Sequence, residues 1–341
     1  MSFLVGKVVE EVVAGAPNNG EGLDNTGTVK RLKVGRDIHP YVSAQAFRRW
    51  LRDSLPADEP RSGVTRSGSG SNQQAHTAGR PDHFLDDDLF GYMVAVKKQN
   101  YQRDTVLATG TLVSVVPQRP TTDFGTMSRG FAAGENPVIH QHELYSAVLA
   151  GDLLLDLPRV GVFETDGSGL RISISEPIAK EALAGGAESV TFRGVSAVRL
   201  PLPERRRRVA VLLRALAELR GGAKRSLHYG DRTPALLVLA PMKGGVNPFT
   251  RILAAREGKP VFSADVLAEE ITAWKDELDG PVRIGWAPGF LGDQRKSVEK
   301  ELAQLIAEEL VIIDHPRILL RGLASAVEEG KHDGWFEDAP A

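Results

Sequence analysis

The stretch PYVSAQAFRRWLRDSL, residues 40–55, carries the clearest structural instruction in this chain. Ser43 offers a side-chain oxygen to the first free N–H groups of a helix, and Pro56 forbids its continuation. The spacing therefore predicts a helix from Ser43 to Leu55. On a wheel of about 100° per residue, Ala44, Phe47, Leu51 and Leu55 form an apolar stripe, widened by Ala46 and Trp50. Gln45, Arg48, Arg49 and Arg52 fall on the opposite face within an arc of about 100°. Arg48 and Arg52 stand four residues apart, and like charges at that spacing cost ~0.2–0.5 kcal/mol. With no acidic i,i+4 partner expected inside the arc, the helix gains nothing locally from these arginines. An external anion would offset the cost, and the free N–H groups behind Ser43 are themselves an anion site. The set suits a run of phosphates. The plainer alternative is a solvated face whose arginines pair with acids elsewhere in the fold.

Outward from this helix, residues 3–13 are valine-rich and predict a first strand. A polar, glycine-rich loop (17–28) and a short strand (29–34) follow. Residues 58–81 are rich in Ser, Gly, Arg, Gln and Thr, a composition that forms no core and predicts a mobile loop. A short helix or turn running into a strand is expected at 86–97, and a strand at 109–116 ends on Pro117. Residues 117–137 form a polar excursion punctuated by Gly and Pro. Residues 144–157 are apolar and mixed in type, and 171–176 alternate like a strand. Residues 204–220 predict an amphipathic helix ended by Gly221 and Gly222. A buried strand at 235–240, a helix within 261–279, a strand at 282–286 and a helix within 298–310 complete the pattern. Residues 328–341 read as a flexible acidic tail. Strands and helices intermixed with long loops predict one α+β domain over 1–341, bearing insertions.

The formal charge is −2, from 42 Lys+Arg against 44 Asp+Glu, which excludes a surface coated in basic charge but allows a local basic groove. The absence of cysteine excludes disulfides, zinc ribbons and thiol nucleophiles. No apolar run approaches a membrane span, and the first residues carry acids within their apolar stretch, unlike a signal peptide. A cytoplasmic location is the expectation. Aromatic residues are only 6% of the chain, so stacking along single strands would be sparse, which fits backbone gripping better than base reading.

Other candidate chemistry is weaker. His140, His142 and Glu143 suggest a metal site, but the two histidines would share a face only on a strand and no HExxH accompanies them. Packing or RNA contact is the expectation. Asp86, Asp87 and Asp88 are expected to favour a helix N-terminus rather than magnesium. Arg205 to Arg208 open a helix against its dipole, so they call for an outside anion or for Glu204 and solvent. No GxxxxGK[ST], GxGxxG or GxSxG motif is present. The sequence thus predicts no catalytic residue, no metal and no cofactor.

The helix at 40–55 resembles the signature helix of the DevR family, backbone subunits of type I CRISPR surveillance complexes (Cascade) within the RAMP superfamily. Six further stretches resemble the family in the same order: NNGEGLDNTGTVKRL (18–32), DDDLFGYM (86–93), LVSVVP (112–117), DFGTMSRG (123–130), HELYSAVLAGDLLLDLPRVGVF (142–163) and GGVNPF (244–249). The resemblance covers roughly residues 1–249, and the subtype is similar to I-B. It implies an RRM-like (ferredoxin-like) palm with a β-hairpin thumb, here a thumb-like insertion at 117–142, and large further insertions. It implies a filament of copies of this chain on one CRISPR RNA, with other Cascade subunits and target DNA as partners. Each thumb would displace one guide base, leaving the bases between free to pair. Carried over by position, Ser43, Gln45, Arg48, Arg49 and Arg52 would hold the RNA backbone. In the thumb, Met127 would be a wedge, with Phe124 beside it and Arg119 and Arg129 on phosphates. Asn18 and Asn19 would lie near the palm surface, and Lys243, Gly244 and Gly245 would let backbone approach RNA. The loop at 58–81 matches no family motif, and its Arg61, Arg66 and Arg80 are free to fold onto nucleic acid. The rival readings are a metal-dependent RNA-processing ribonuclease of the same superfamily, testable at His140, His142 and Asp24, and a regulatory or structural oligomer using its arginines for protein contacts.

Overall fold

The computed structural model describes residues 1–341 apart from 23–25, 68–72, 97–98, 128, 133–134, 137, 167–171 and 339–341. The valine-rich start of the chain forms β1 (Phe3–Gly15), which is buried along most of its length. Its apolar run is continuous rather than alternating because both faces of the strand are covered. In chain order there follow β2 (Arg31–Val34), β3 (Asp37–Val42), α1 (Ala44–Ser54), α2 (Leu85–Phe90), β4 (Leu107–Thr109), β5 (Leu112–Ser114), β6 (Thr121–Met127), β7 (Val138–Asp156), α3 (Leu202–Ala217), β8 (Leu236–Met242), α4 (Ala264–Ala273), β9 (Val282–Trp286), α5 (Gln294–Glu301), β10 (Val311–Asp314) and α6 (Pro316–Glu328).

The main sheet has the order β10-β9-β8-β1-β7-β5-β3-β2, with β4 also paired to β7. Its heart is the unit β1–α1–β5–β7–α3–β8, whose strands lie in the order fourth, first, third, second, with antiparallel neighbours throughout. That is the βαββαβ ferredoxin-like arrangement, so the α+β class and the palm read from the sequence are what the chain adopts. Leu4, Val8 and Val12 of β1 face α1, α3 and α6 through Phe47, Trp50, Leu212, Leu213 and Leu320. Val5 and Val9 face α4 and α5 through Leu267, Ile271 and Val298.

Two insertions decorate this palm. Between α1 and β4 lie α2 and two hairpins, Thr65–Ser67 with Gln74–His76 and Tyr92–Val96 with Gln99–Arg103. Between β7 and α3 lie a three-stranded sheet (Val162–Glu164, Val195–Arg199, Glu188–Phe192) and a helix, Glu176–Ala184.

Several segments make contacts that their composition does not announce. Residues 58–81 are anchored where described: Glu59 pairs with Arg207 at 2.6 Å, and Ser62 Oγ donates to Asp87 at 2.8 Å and accepts from Ala78 N–H at 2.9 Å. Hairpin pairing supplies bonds that a polar composition does not announce. Residues 172–175 are not a strand, because Ser175 instead precedes the helix Glu176–Ala184. The expected acidic tail is docked through 338: Trp335 and Phe336 are buried, Arg206 grips Asp333, and Asp338 accepts from Arg193 N–H.

The three aspartates of α2 do more than favour a helix N-terminus. All are buried. Asp88 is shared by Arg103, Arg208 (2.7 Å) and the N–H of Gly161 (2.9 Å). Asp87 accepts from Arg80 N–H at 3.0 Å, and Asp86 accepts from Ser62 N–H at 3.1 Å. Arg205 donates to the carbonyls of Pro158, Val160 and Phe336, and Arg207 and Arg208 both bind Glu204. The arginine run that opens α3 therefore finds its partners inside the chain, and no outside anion is needed to explain it.

Candidate nucleic-acid interface

α1 forms as its sequence predicts. Ser43 Oγ accepts from Ala46 N–H at 3.3 Å, and the chain turns out of the helix at Leu55. Asn18 reaches the same helix end, its Oδ1 accepting from Ser43 N–H at 2.9 Å while its carbonyl accepts from Lys30 N–H. Asn19 beside it is exposed and bridges to Val29. Thr109 Oγ1, at the end of β4, donates to Ala44 O at 3.4 Å. The N-terminal turn of α1 is thereby fixed to β4 beside β7.

The arginine arc is less bare than the sequence suggests. Arg49 lies 2.9 Å from Asp53, an i,i+4 acid in the same helix. Arg52 lies 3.3 Å from buried Asp86 and stacks on Phe90. Arg48 donates to Thr109 Oγ1 at 3.2 Å, and among the described residues no carboxylate lies within ion-pair distance of it. Burial, and then the neighbouring Arg52, push its guanidinium below the usual arginine value. The expectation of three uncompensated cations is thus corrected to one. The Arg49–Asp53 pair is exposed, worth ~0–1 kcal/mol, and exchanges readily for a phosphate. Gln45 is exposed on the same side.

The hairpin of β6 with the first half of β7 pairs Met127 with Val138, Gly125 with His140 and Asp123 with His142. Phe124 (64% exposed), Met127 (58%), Val138 and Ile139 present apolar side chains to solvent at its outer end, and Phe131 lies beyond. Arg119 and Arg129 are exposed at its two ends. Exposed apolar groups clustered on a projecting hairpin mark an interaction surface rather than a core.

Lys243, Gly244 and Gly245 sit elsewhere. Lys243 Nζ donates to Asp276 O at 2.8 Å, and Gly245 lies by Phe3 and Leu154, on the sheet face opposite α1. The structure brings Asn18, Ser43, Arg48 and Thr109 together and leaves the 243–245 loop apart from them. Of the arginines at 58–81, Arg80 pairs with Asp82 and Glu181, Arg61 donates to Leu55 O, and Arg66 is exposed. Asp24 lies outside the described residues.

His140 and His142 do share a strand face, their rings 6.3 Å apart and nearly parallel. Sequence reasoning missed two residues that join them, Lys224 and His228, which lie in a polar loop without periodicity more than 80 residues away. Among the described residues, no group of three or more His, Asp or Glu is placed to hold a metal, and no helix is long and apolar enough to cross a membrane.

No family model and no curated protein matches this sequence. Solved structures do. A chain of a "CRISPR RNA-guided surveillance complex, pre-nicking" matches with a TM-score of 0.61 at 11% identity, covering 95% of this chain and 100% of that one. A chain of a "CRISPR RNA-guided surveillance complex" matches with a TM-score of 0.51 at 14% identity, covering 95% and 99%. This protein therefore has, over almost its whole length, the fold of chains found in CRISPR RNA-guided surveillance complexes.

Proposed function

We propose that this chain is a non-catalytic RNA-binding subunit of a type I-B Cascade, of the DevR family, that oligomerises along a CRISPR RNA and presents it to target DNA. The observation that carries the reading is the fold likeness, over 95% of this chain, to chains of RNA-guided complexes. Two local features support it. The α1 edge offers Arg48, readily released Arg49, Gln45 and a helix N-terminus to a phosphate run. The projecting hairpin offers Met127 and Phe124 as apolar groups able to stand beside an unstacked base.

In this mechanism the protein holds shape and backbone while base pairing reads sequence. Phosphate contacts along α1 order the guide, each hairpin interrupts it, and the free Watson–Crick edges between hairpins meet the target strand. Arg52 acts mainly as an anchor, because Asp86 already holds it. Purifying the protein from cells that express a CRISPR array tests the reading. Bound RNA of uniform length, with several copies of the chain per RNA, is the expected result. Protein free of RNA and indifferent to salt would favour the structural-oligomer reading. RNA shortened by the purified chain, with that cleavage lost and binding retained after His140, His142 and Asp24 are changed to Ala, would favour the ribonuclease.

A further inference from the structure

The base of the β6–β7 hairpin holds a cluster that phosphate gripping by α1 leaves unused. His140 and His142 come from β7, and Lys224 and His228 come from a turn after α3. That turn is closed by the N–H groups of Leu227 and His228, which donate to Lys224 O at 3.0 and 2.9 Å. His142 is 7% exposed, its ring 4.9 Å from that of His228. His140 lies across Gly125, where any Cβ would collide with its ring. Lys224 Nζ occupies the space above Gly27, within 2.7 Å of where a Cβ would stand. The two-residue strand Thr26–Gly27 runs parallel to Gln141–His142 and floors the site.

The cluster is polar and unsatisfied, with His142 buried and Lys224 and His228 half-buried on the turn beside it. Neither ring nitrogen of His142, nor Nε2 of His228, has a hydrogen-bond partner among the described residues. Asp123 Oδ2 lies 3.4 Å from His142 Nε2, short of hydrogen-bond geometry, and its side chain is more than half exposed. Among the described residues no carboxylate is within ion-pair range of Lys224. Glu143, the acid beside it, already accepts from Arg31 at 2.8 Å and from Val29 N–H at 2.9 Å. An unpartnered buried polar group is costly and calls for a ligand. A cation would be repelled by Lys224. An anion would relieve the repulsion among Lys224, His228 and His142 and would accept from each. Burial, then Lys224 and His228, hold His142 below the usual histidine value, whereas Asp123 acts in the opposite direction and His140 weakly with the cations.

We propose that His142, His228 and Lys224 form a phosphate-binding pocket at the foot of the hairpin, which fills with uptake of protons and takes a phosphodiester of the RNA. The source of the phosphate rests on the RNA-binding reading, while the pocket itself is built for a phosphate group of any origin. Its placement would clamp the strand where the hairpin leaves the palm, and would tie that grip to pH.

The test uses the full chain and a labelled single-stranded RNA. Anisotropy is read at constant ionic strength at about pH 5.5 and about pH 7.5, on either side of the usual histidine range. Affinity should rise toward acid, by at most about tenfold per pH unit for each proton taken up. His228→Gln should flatten that rise, as should His142→Gln. Inorganic phosphate titrated at about pH 5.5 should move the imidazole NMR signals of His142 and His228 in the parent and leave them still in Lys224→Gln. His228 and Lys224 sit on an open turn, so those two variants keep the test intact if His142→Gln misfolds. An acid-side rise that survives His228→Gln, or imidazole signals indifferent to phosphate, overturns the pocket. Loss of RNA binding at both pH values, with the phosphate response kept, overturns the RNA source alone.

Discussion

The Arg52 guanidinium lies 3.3 Å from the buried carboxylate of Asp86 and 5.0 Å from the centre of the Phe90 ring. One arginine of the basic helix face is thus a tether between α1 and the insertion that carries α2. Arg48, one turn earlier, is held by a hydroxyl, with no carboxylate in ion-pair range among the described residues. The same residue type on the same face divides into an anchor and a free cation.

Stability should separate the two. Arg52→Ala leaves Asp86 buried beside Asp87, with N–H donors alone to offset it among the described residues, and should cost about 1–3 kcal/mol in urea unfolding. Arg48→Ala should change stability by less than about 0.5 kcal/mol. Equal costs would contradict this division.

RNA binding should separate them the other way. Arg48→Ala should lower the log–log salt slope for single-stranded RNA by about 0.7, the value of one phosphate contact. Asp53→Ala frees Arg49 and should strengthen binding, with a steeper slope. A weaker complex after Asp53→Ala would show that the pair is structural.

Asp88 is a buried junction between two insertions and the palm. It is fully buried and shared by Arg103 and Arg208, both themselves buried. Asp88→Ala removes the carboxylate that two buried cations share, leaving Arg208 with Glu204 and Arg103 with Glu164, and breaking a buried pair in this way costs ~3–5 kcal/mol. Loss of soluble protein, or a urea midpoint lowered by that amount, is the expected outcome, and a midpoint within error of the parent would refute the account.

Glu10 of β1 makes stability pH-dependent. Burial pushes its carboxyl up to about 8, Arg232 opposes this, and neither oxygen has a hydrogen-bond partner among the described residues. The folded state thus holds a proton that the unfolded chain releases near the ordinary glutamate value of 4.5. Its stabilising effect is complete below that value and declines as pH rises toward about 8, by at most ~1.4 kcal/mol per pH unit. Glu10→Gln should flatten the fall in stability between these limits, read from urea midpoints across the range. A parallel fall in the variant would assign it to another group.

The hairpin tip should be dispensable for folding. Phe124→Ser with Met127→Ser removes exposed apolar groups and should leave the melting temperature within the scatter of surface substitutions, about 0.5 kcal/mol in stability. The same variant should alter the nuclease-protection pattern of bound RNA, because the wedge that spaces it is gone. An unchanged pattern would remove the tip from the interface.

The sequence by itself determined the elements whose signals are local. Ser43 and Pro56 bounded α1 within a residue of its observed ends, the valine run located β1, and residues 282–286 were legible as β9. Each depends on caps, breakers and side-chain periodicity that neighbours in the chain supply. The fold class and the hairpin followed from motif resemblance and from the order of these elements. Tertiary structure alone decided what each charge does. Asp53 for Arg49 and Glu204 for Arg207 and Arg208 were partners within reach of a sequence reading, three or four residues away. Asp86 for Arg52, Asp88 for Arg208, Asp333 for Arg206 and His228 for His142 are separated by dozens to more than a hundred residues and carry no periodic signal. Burial and pairing set the worth of an ionisable group, and both are properties of the assembled fold. A helix wheel therefore counted three equivalent arginines where the packed chain holds one tether, one exchangeable pair and one open cation.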